Sequence, residues 1–250
     1  MKKISSAKNE IVKQWKKLLT KKGRMQTGRF LVEGEHLVEE ALRAGATREL
    51  IVREGYEIPH AWKADEIDVI EVTESVAEAL SETETAQGIF AVCQMKSDAA
   101  ISRGSYLLLD RIQDPGNVGT MIRTADAAGF AGVIIGQGTV DVFNSKVLRS
   151  TQGSVFHLPI IQMELTEAIQ ALHEEGVKVI GTALEGAELY TGIEAAGPVG
   201  LLIGNEAQGV AAELLDHCDA KAYIPIRGKA ESLNAAVAAG ILLYHFAPAD

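Results

Sequence analysis

Leu107 to Gly129 reads Leu-Leu-Leu-Asp-Arg-Ile-Gln-Asp-Pro-Gly-Asn-Val-Gly-Thr-Met-Ile-Arg-Thr-Ala-Asp-Ala-Ala-Gly, and this stretch decides the fold. Tyr106 to Leu109 is an apolar run of strand length. Asp110, Asp114, Pro115, Gly116 and Gly119 then break the chain into a loop. Met121, Ile122, Ala125 and Ala128 return at helical spacing, with Asn117, Thr120, Arg123 and Asp126 interleaved. At about 100° per residue, Asn117 inside that helix would lie roughly 240° from Arg123. Asn117 is therefore expected in the loop or at the N-cap, turning its side chain toward the face of Thr120 and Arg123. A strand that delivers polar groups to its C-terminal end is where open α/β folds build sites.

Working outward, the α/β alternation continues on both sides. Downstream, Gly132–Ile135, Val177–Gly181, Leu201–Ile203 and Ala222–Ile226 are expected strands, and 146–150, 168–175 and 211–216 expected helices. A last helix opens at Ser232 and runs to about Phe246; it is apolar nearly all round and should be buried. Upstream, Ile11, Trp15 and Leu18–Leu19 predict one amphipathic helix over 7–22, stopped by Gly23. Phe30–Val32, a turn at Gly34, a helix to Arg43, strands at 50–52, 69–72 and 88–93, and a short helix over 59–65 complete a small βαβαβαβ unit. Ser75 with Glu78 reads as a capping box opening a helix to Leu80. Residues 96–104 lack periodicity and form the expected linker between an N-terminal unit, 1–95, and a C-terminal one, 105–250.

Bulk properties narrow the class. The 250 residues are 47% apolar, which suits a compact α/β protein of one or two domains. No apolar run has transmembrane length and the N-terminus is too polar for a secretory signal, so a cytoplasmic protein is expected. Cys93 and Cys218 form no disulfide framework, and the six histidines have no paired ligand spacing, so no metal is expected. The net charge of −10 is unevenly spread: residues 1–30 hold ten Lys or Arg against the single acid Glu10. Such asymmetry fits a basic face for a polyanion, with Lys8, Lys13, Lys16, Lys17 and Arg29 as candidate phosphate contacts, or else a solvated helix face.

Three loops carry polar groups: Asp114-Pro-Gly-Asn-Val-Gly-Thr-Met-Ile-Arg123, Gly204-Asn-Glu-Ala-Gln-Gly209, and Ile224-Pro-Ile-Arg-Gly-Lys-Ala-Glu-Ser-Leu-Asn234. Each follows an apolar strand, so all three can meet at one sheet edge. They bring amides (Asn117, Asn205, Asn234), a buried-looking carboxylate (Glu206), a hydroxyl (Ser232) and a cation (Arg123), with glycines that let a flat ligand approach the backbone. Neither GxGxxG nor GxxxxGK[ST] nor GxSxG is present.

The three loops resemble, in order and spacing, the three signature motifs of the SpoU/TrmH branch of the SPOUT RNA methyltransferases. The resemblance spans 105–246. Residues 1–95 resemble the family's L30e-like substrate-binding domain through Phe30-Leu-Val-Glu-Gly, Glu39–Ala41 and Thr85-Ala-Gln-Gly, departing at Ala86, where the family has Pro. Ser150-Thr-Gln-Gly-Ser also departs from the commoner small-residue version. The resemblance implies a deep trefoil knot, which alternating elements alone would argue against. It implies a homodimer and S-adenosylmethionine as methyl donor. The implied reaction is methylation of a ribose 2'-OH in ribosomal RNA, the alternatives being transfer RNA or a non-catalytic RNA-binding or ribosome-assembly protein of the same fold. It places Asn117, Arg123, Glu206, Ser232 and Asn234 at the reacting ribose, and Gly204, Asn205, Gly209, Ile224, Ile226 and Leu233 around the donor. Arg123 is an awkward base because a guanidinium holds its proton, so binding the neighbouring phosphate suits it better. Glu206 can touch RNA or donor, accept backbone N–H groups, or pair with Arg123. Asn117 and Ser232 can also serve as helix caps.

Overall fold

The computed structural model describes residues 2–62, 67–95 and 100–248, so residues 63–65 of the expected short helix and 96–99 of the expected linker lie outside the described residues. The chain forms two compact units, Met1–Met95 with Phe143–Phe156, and Lys96–Val142 with His157–Asp250.

The first unit contains β1 (Lys2–Ile4), α1 (Glu10–Lys17), α2 (Lys21–Thr27), β2 (Arg29–Glu33), α3 (Glu35–Arg43), β3 (Thr47–Arg53), β4 (Asp68–Val72), α4 (Glu74–Leu80) and β5 (Ile89–Gln94). The sheet order is β1-β4-β3-β5-β2. β3 pairs parallel with β4 and antiparallel with β5. β1 is an addition to the expected strands. The expected helix over 7–22 is instead two helices. The side chain of Thr20 caps the second by accepting from Gly23 N at 3.1 Å. Gly23 does not stop a helix: it lies within α2, where a Cβ would fall 2.0 Å from the Lys17 carbonyl oxygen, so its role is close packing at the bend. The stop is Gly28, left-handed at φ 64°. The expected capping box is also displaced, since Thr73 is the N-cap of α4 and Ser75 sits inside it. Only His60–Trp62 of the expected short helix is helical, as one 3₁₀ turn, among the described residues.

The second unit begins with β6 (Tyr106–Leu109), α5 (Pro115–Ala127) and β7 (Gly132–Ile135). The chain then contributes α6 (Ser145–Thr151) to the first unit, where Leu148 and Phe156 join the core built on Phe30, Val38 and Leu50. It continues with β8 (Ile160–Gln162), α7 (Leu165–Glu174), β9 (Lys178–Thr182), β10 (Glu188–Leu189), β11 (Val199–Ile203), α8 (Ala212–Asp216), β12 (Ala220–Tyr223) and α9 (Ala235–His245). The seven strands are ordered β10-β12-β9-β11-β6-β7-β8 and every pairing is parallel. A parallel sheet is covered on both faces, which is why β6 and β11 read as unbroken apolar runs and are buried throughout.

Two expectations near the site are corrected. The last strand ends at Tyr223, leaving Ile224 and Ile226 in the loop. The last helix opens at Asn234, not Ser232: the Asn234 side chain accepts from Ala236 N and Val237 N at 2.9 and 3.2 Å. That helix is not wholly buried either. Ala236, Ala239, Leu242 and Leu243 face the core, while Val237 is 53% and Tyr244 62% exposed.

Candidate active site

Because β6 and β11 are hydrogen-bonded neighbours, the loops at their C-terminal ends lie side by side. Asp114 caps α5, its carboxylate accepting from Asn117 N at 2.8 Å, and Pro115 occupies the first helical position, where its missing N–H costs nothing. Asn117 is therefore in the first turn of α5, neither a loop residue nor the cap. Its side chain bonds with the other two loops, not with Arg123. Asn117 Nδ2 donates to Glu206 Oε1 at 3.1 Å, and Asn234 Nδ2 donates to Asn117 Oδ1 at 3.0 Å. One continuous Asn234–Asn117–Glu206 chain thus joins all three motif loops.

Glu206 closes that chain. It accepts Gln113 N on Oε2 and Asp114 N on Oε1, both at 3.3 Å. It is exposed, not buried as its sequence setting suggested, and its role here is to fasten the second loop to the first. Partial burial acts to raise its pKa. The donors from Asn117 and from the backbone N–H groups of Glu206, Gln113 and Asp114 outweigh that and hold it below the usual carboxylate value.

Beside this network lies a cleft of about 330 Å³, open at its mouth, at the small end of the sizes that take a small cofactor. It is lined by Ile203, Gly204, Asn205, Glu206 and Gly209 from the second loop and by Ser232, Leu233, Asn234, Ala235 and Ala238 from the third, with Thr182 at the end of β9. Gly204 must be glycine because the loop doubles back on it. A Cβ there would lie 2.0 Å from Val210 N and 2.2 Å from the Gly209 carbonyl carbon. Asn205 accepts backbone N–H groups of Ala207 and Gln208 at 3.0 Å each, which sets the tight turn that ends at Gly209. Apolar walls and closely approaching backbone suit a flat heterocycle with a polar tail.

The cleft thus gathers Gly204, Asn205, Gly209, Leu233, Glu206, Ser232 and Asn234 from the expected site. Ile224 and Ile226 do not line it. Nor does Arg123, which is exposed on α5 and, among the described residues, engaged in no hydrogen bond or ion pair. The nearby acid Asp126 is bonded instead to His157 Nδ1 at 2.7 Å. Thr182, Ala235 and Ala238 carry no signal in the sequence, because small residues beside strand and helix ends have no pattern of their own.

In the first unit the basic candidates separate. Lys17 and Arg29 line one groove with Gln14, Thr27 and Glu49. Lys8 and Lys13 are exposed near the start of α1, Lys13 paired with Glu10 at 2.6 Å, and Lys16 is half-buried. Trp15 is buried, its indole N–H donating to Glu49 at 2.8 Å. No described helix is long and apolar enough to cross a membrane.

Comparison with known proteins gives the family. Residues 104–244 match the SpoU rRNA Methylase family, and residues 9–91 match the MRM3-like substrate binding domain. The chain is 50% identical over 246 residues to the 23S rRNA (guanosine(2553)-2'-O)-methyltransferase RlmP of Bacillus subtilis, covering 98% of this chain and 99% of that protein. The AdoMet-bound rRNA methyltransferase from Sinorhizobium meliloti superposes with a TM-score of 0.87 at 36% identity, over 98% of this chain and 96% of that one. The SpoU methyltransferase AviRb from Streptomyces viridochromogenes, in complex with AdoMet, superposes with a TM-score of 0.84 at 29% identity, over 96% and 97% of the two chains. The chain belongs to the SpoU rRNA methylase family.

Proposed function

We propose that this chain transfers the methyl group of S-adenosylmethionine to the ribose 2'-OH of a guanosine in 23S ribosomal RNA. The observation that carries the reading is the Asn234–Asn117–Glu206 chain, which draws the three family motifs to one cleft of cofactor size. The half-identity to RlmP over nearly the whole of both chains supplies the substrate class.

The donor supplies an electrophilic methyl on a sulfonium. Gly204, Asn205, Gly209 and Leu233 hold it in the cleft. Ile224 and Ile226, on the loop between β12 and α9 and outside the cleft lining, are donor contacts by resemblance alone. Ser232 and Asn234 face the ribose, and Asn117 and Glu206 hold Asn234 in place. Arg123, with no partner of its own among the described residues, binds the adjacent RNA phosphate and favours the alkoxide as the 2'-OH loses its proton. Residues 1–95 serve as the RNA-binding module, with Lys8, Lys13, Lys16, Lys17 and Arg29 on phosphates, and residues 105–250 as the catalytic domain. The trefoil knot of the resemblance and a cytoplasmic location, where a ribosomal RNA substrate is made, belong to this reading. Its test is the mapping of 2'-O-methyl groups in 23S rRNA with and without the protein: loss of one guanosine signal supports it, an unchanged map refutes it.

The partner in the assembly is a second copy. Leu233, Val237 and Tyr244 leave an exposed apolar stripe on and beside α9, 37%, 53% and 62% exposed. Such a stripe marks an interface. Val237→Glu would bury a charge there and weaken self-association by at least about 100-fold. Sedimentation velocity at micromolar concentration should show a wild-type dimer and a V237E monomer.

A further inference from the structure

Arg111 adopts φ 56°, a left-handed conformation that an L side chain rarely takes. Among the described residues Gln152 shares this feature at φ 49°, but there a helix C-cap explains it. Arg111 caps no helix. It lies two residues past the end of β6, after Asp110, and precedes the first motif loop, and a glycine would fit its backbone without strain. A strained residue is kept where its side chain does something that glycine cannot.

What the side chain does is visible in its contacts. The guanidinium lies flat against the carboxylate of Asp110, Nε to Oδ1 at 2.9 Å and Nη2 to Oδ2 at 3.0 Å. Asp110 is 4% exposed and also accepts Ala211 N at 2.9 Å, so the fork is fixed at its base. From that anchor Arg111 Nη1 donates to Gln208 Oε1 at 2.9 Å and Nη2 to the Gly209 carbonyl at 3.3 Å. The Arg111 carbonyl accepts Asn205 Nδ2 at 2.8 Å. One residue thus holds the loop 204–209 at three points, and the left-handed backbone lets its carbonyl and guanidinium face that loop together.

We propose that Arg111 is the positioning residue of the cofactor loop, fixing the Asn205–Gly209 turn in its binding shape before S-adenosylmethionine arrives. The proposal rests on the reading that this cleft takes that cofactor. Arg111 itself does not line the cleft, so it acts through the loop and touches no reacting atom. Its removal leaves the turn to be ordered by the cofactor, and that cost appears as lost affinity.

The test compares full-length wild type, Arg111→Gly and Arg111→Lys. Calorimetric titration with S-adenosylmethionine should show an affinity about tenfold weaker for R111G, the effect of lost charge-assisted hydrogen bonds, with R111K intermediate because an ammonium cannot fork. Without cofactor R111G should melt at or above R111K, since glycine relieves the backbone. The KM for S-adenosylmethionine should rise and the KM for RNA should not. R111G binding the cofactor as wild type does would overturn the proposal, as would a joint rise of both KM values with a lowered Tm, the mark of a general fold defect. A wild type that binds no S-adenosylmethionine would overturn the underlying reading and this proposal with it.

Discussion

Gly204→Ala should weaken S-adenosylmethionine binding by at least about 100-fold, a loss of roughly 2.7 kcal/mol or more. The added Cβ would stand 2.0 Å from Val210 N, 2.2 Å from the Gly209 carbonyl carbon and 2.5 Å from its oxygen. All three are backbone atoms, which cannot swing aside as a side chain can. The turn must open, breaking the 2.9 Å bond from Gly209 N to the Asn205 carbonyl and displacing the wall of the cleft. Gly209 provides the control. It has φ 70°, but a Cβ there meets nothing within 4 Å. Gly209→Ala therefore suffers conformational strain alone, roughly 1–2 kcal/mol, or about tenfold in affinity. Titration calorimetry separates the two; near-wild-type binding by G204A would show that the loop is not the cofactor wall.

Glu206→Gln should lower kcat/KM by at least about tenfold, through the network and not through lost charge at the ribose. The carboxylate has two accepting oxygens, and both are used by N–H donors: Gln113 N on one, Asp114 N and Asn117 Nδ2 on the other. A carboxamide puts an NH₂ against one of those donors whichever way it is turned. One loop contact is then replaced by a repulsion, and Asn117 and Asn234 lose their fixed positions. The stability effect is smaller because Glu206 is exposed: about 1 kcal/mol at neutral pH. Its pH dependence follows from the lowered pKa in the folded protein. The ionised network stabilises fully above the unfolded value, about 4.3, and the contribution is lost as the pH falls through the folded value. Wild type and E206Q should therefore differ in stability at pH 5 to 7, and the difference should shrink as the pH falls below the unfolded carboxylate value and through the lowered folded one, as read by chemical denaturation.

The strand-loop-helix at Leu107–Gly129 was legible because Tyr106–Leu109, Asp114-Pro-Gly and the apolar spacing of α5 all point to one local structure. Asn117 is expected in the loop or at the N-cap but lies in the first turn of α5, because both Asp114 and Asn117 suit an N-cap and Asp114 takes it. The 240° separation from Arg123 was sound geometry, and the structure resolves it by directing Asn117 to Glu206 and Asn234 instead. Gly23 misled for a related reason. Glycine as a stop and glycine as a close-packing point look alike in one dimension, and the Lys17 carbonyl that distinguishes them is set by the bend itself. The all-round apolar sequence of α9 predicts burial, yet Val237 and Tyr244 lie open on this chain. Arg111 carried no pattern at all, since neither a left-handed φ nor its hold on Gln208 and Gly209 is written in spacing.

The central claim is tested most directly by incubating 23S rRNA from cells lacking this protein with labelled S-adenosylmethionine and either wild type or Arg123→Ala, then mapping label to single nucleotides. The account predicts one labelled guanosine, methylated on the ribose 2'-oxygen, with wild type and a loss of at least about 100-fold with R123A. Equal trace labelling by both proteins, or label on a base, would contradict it.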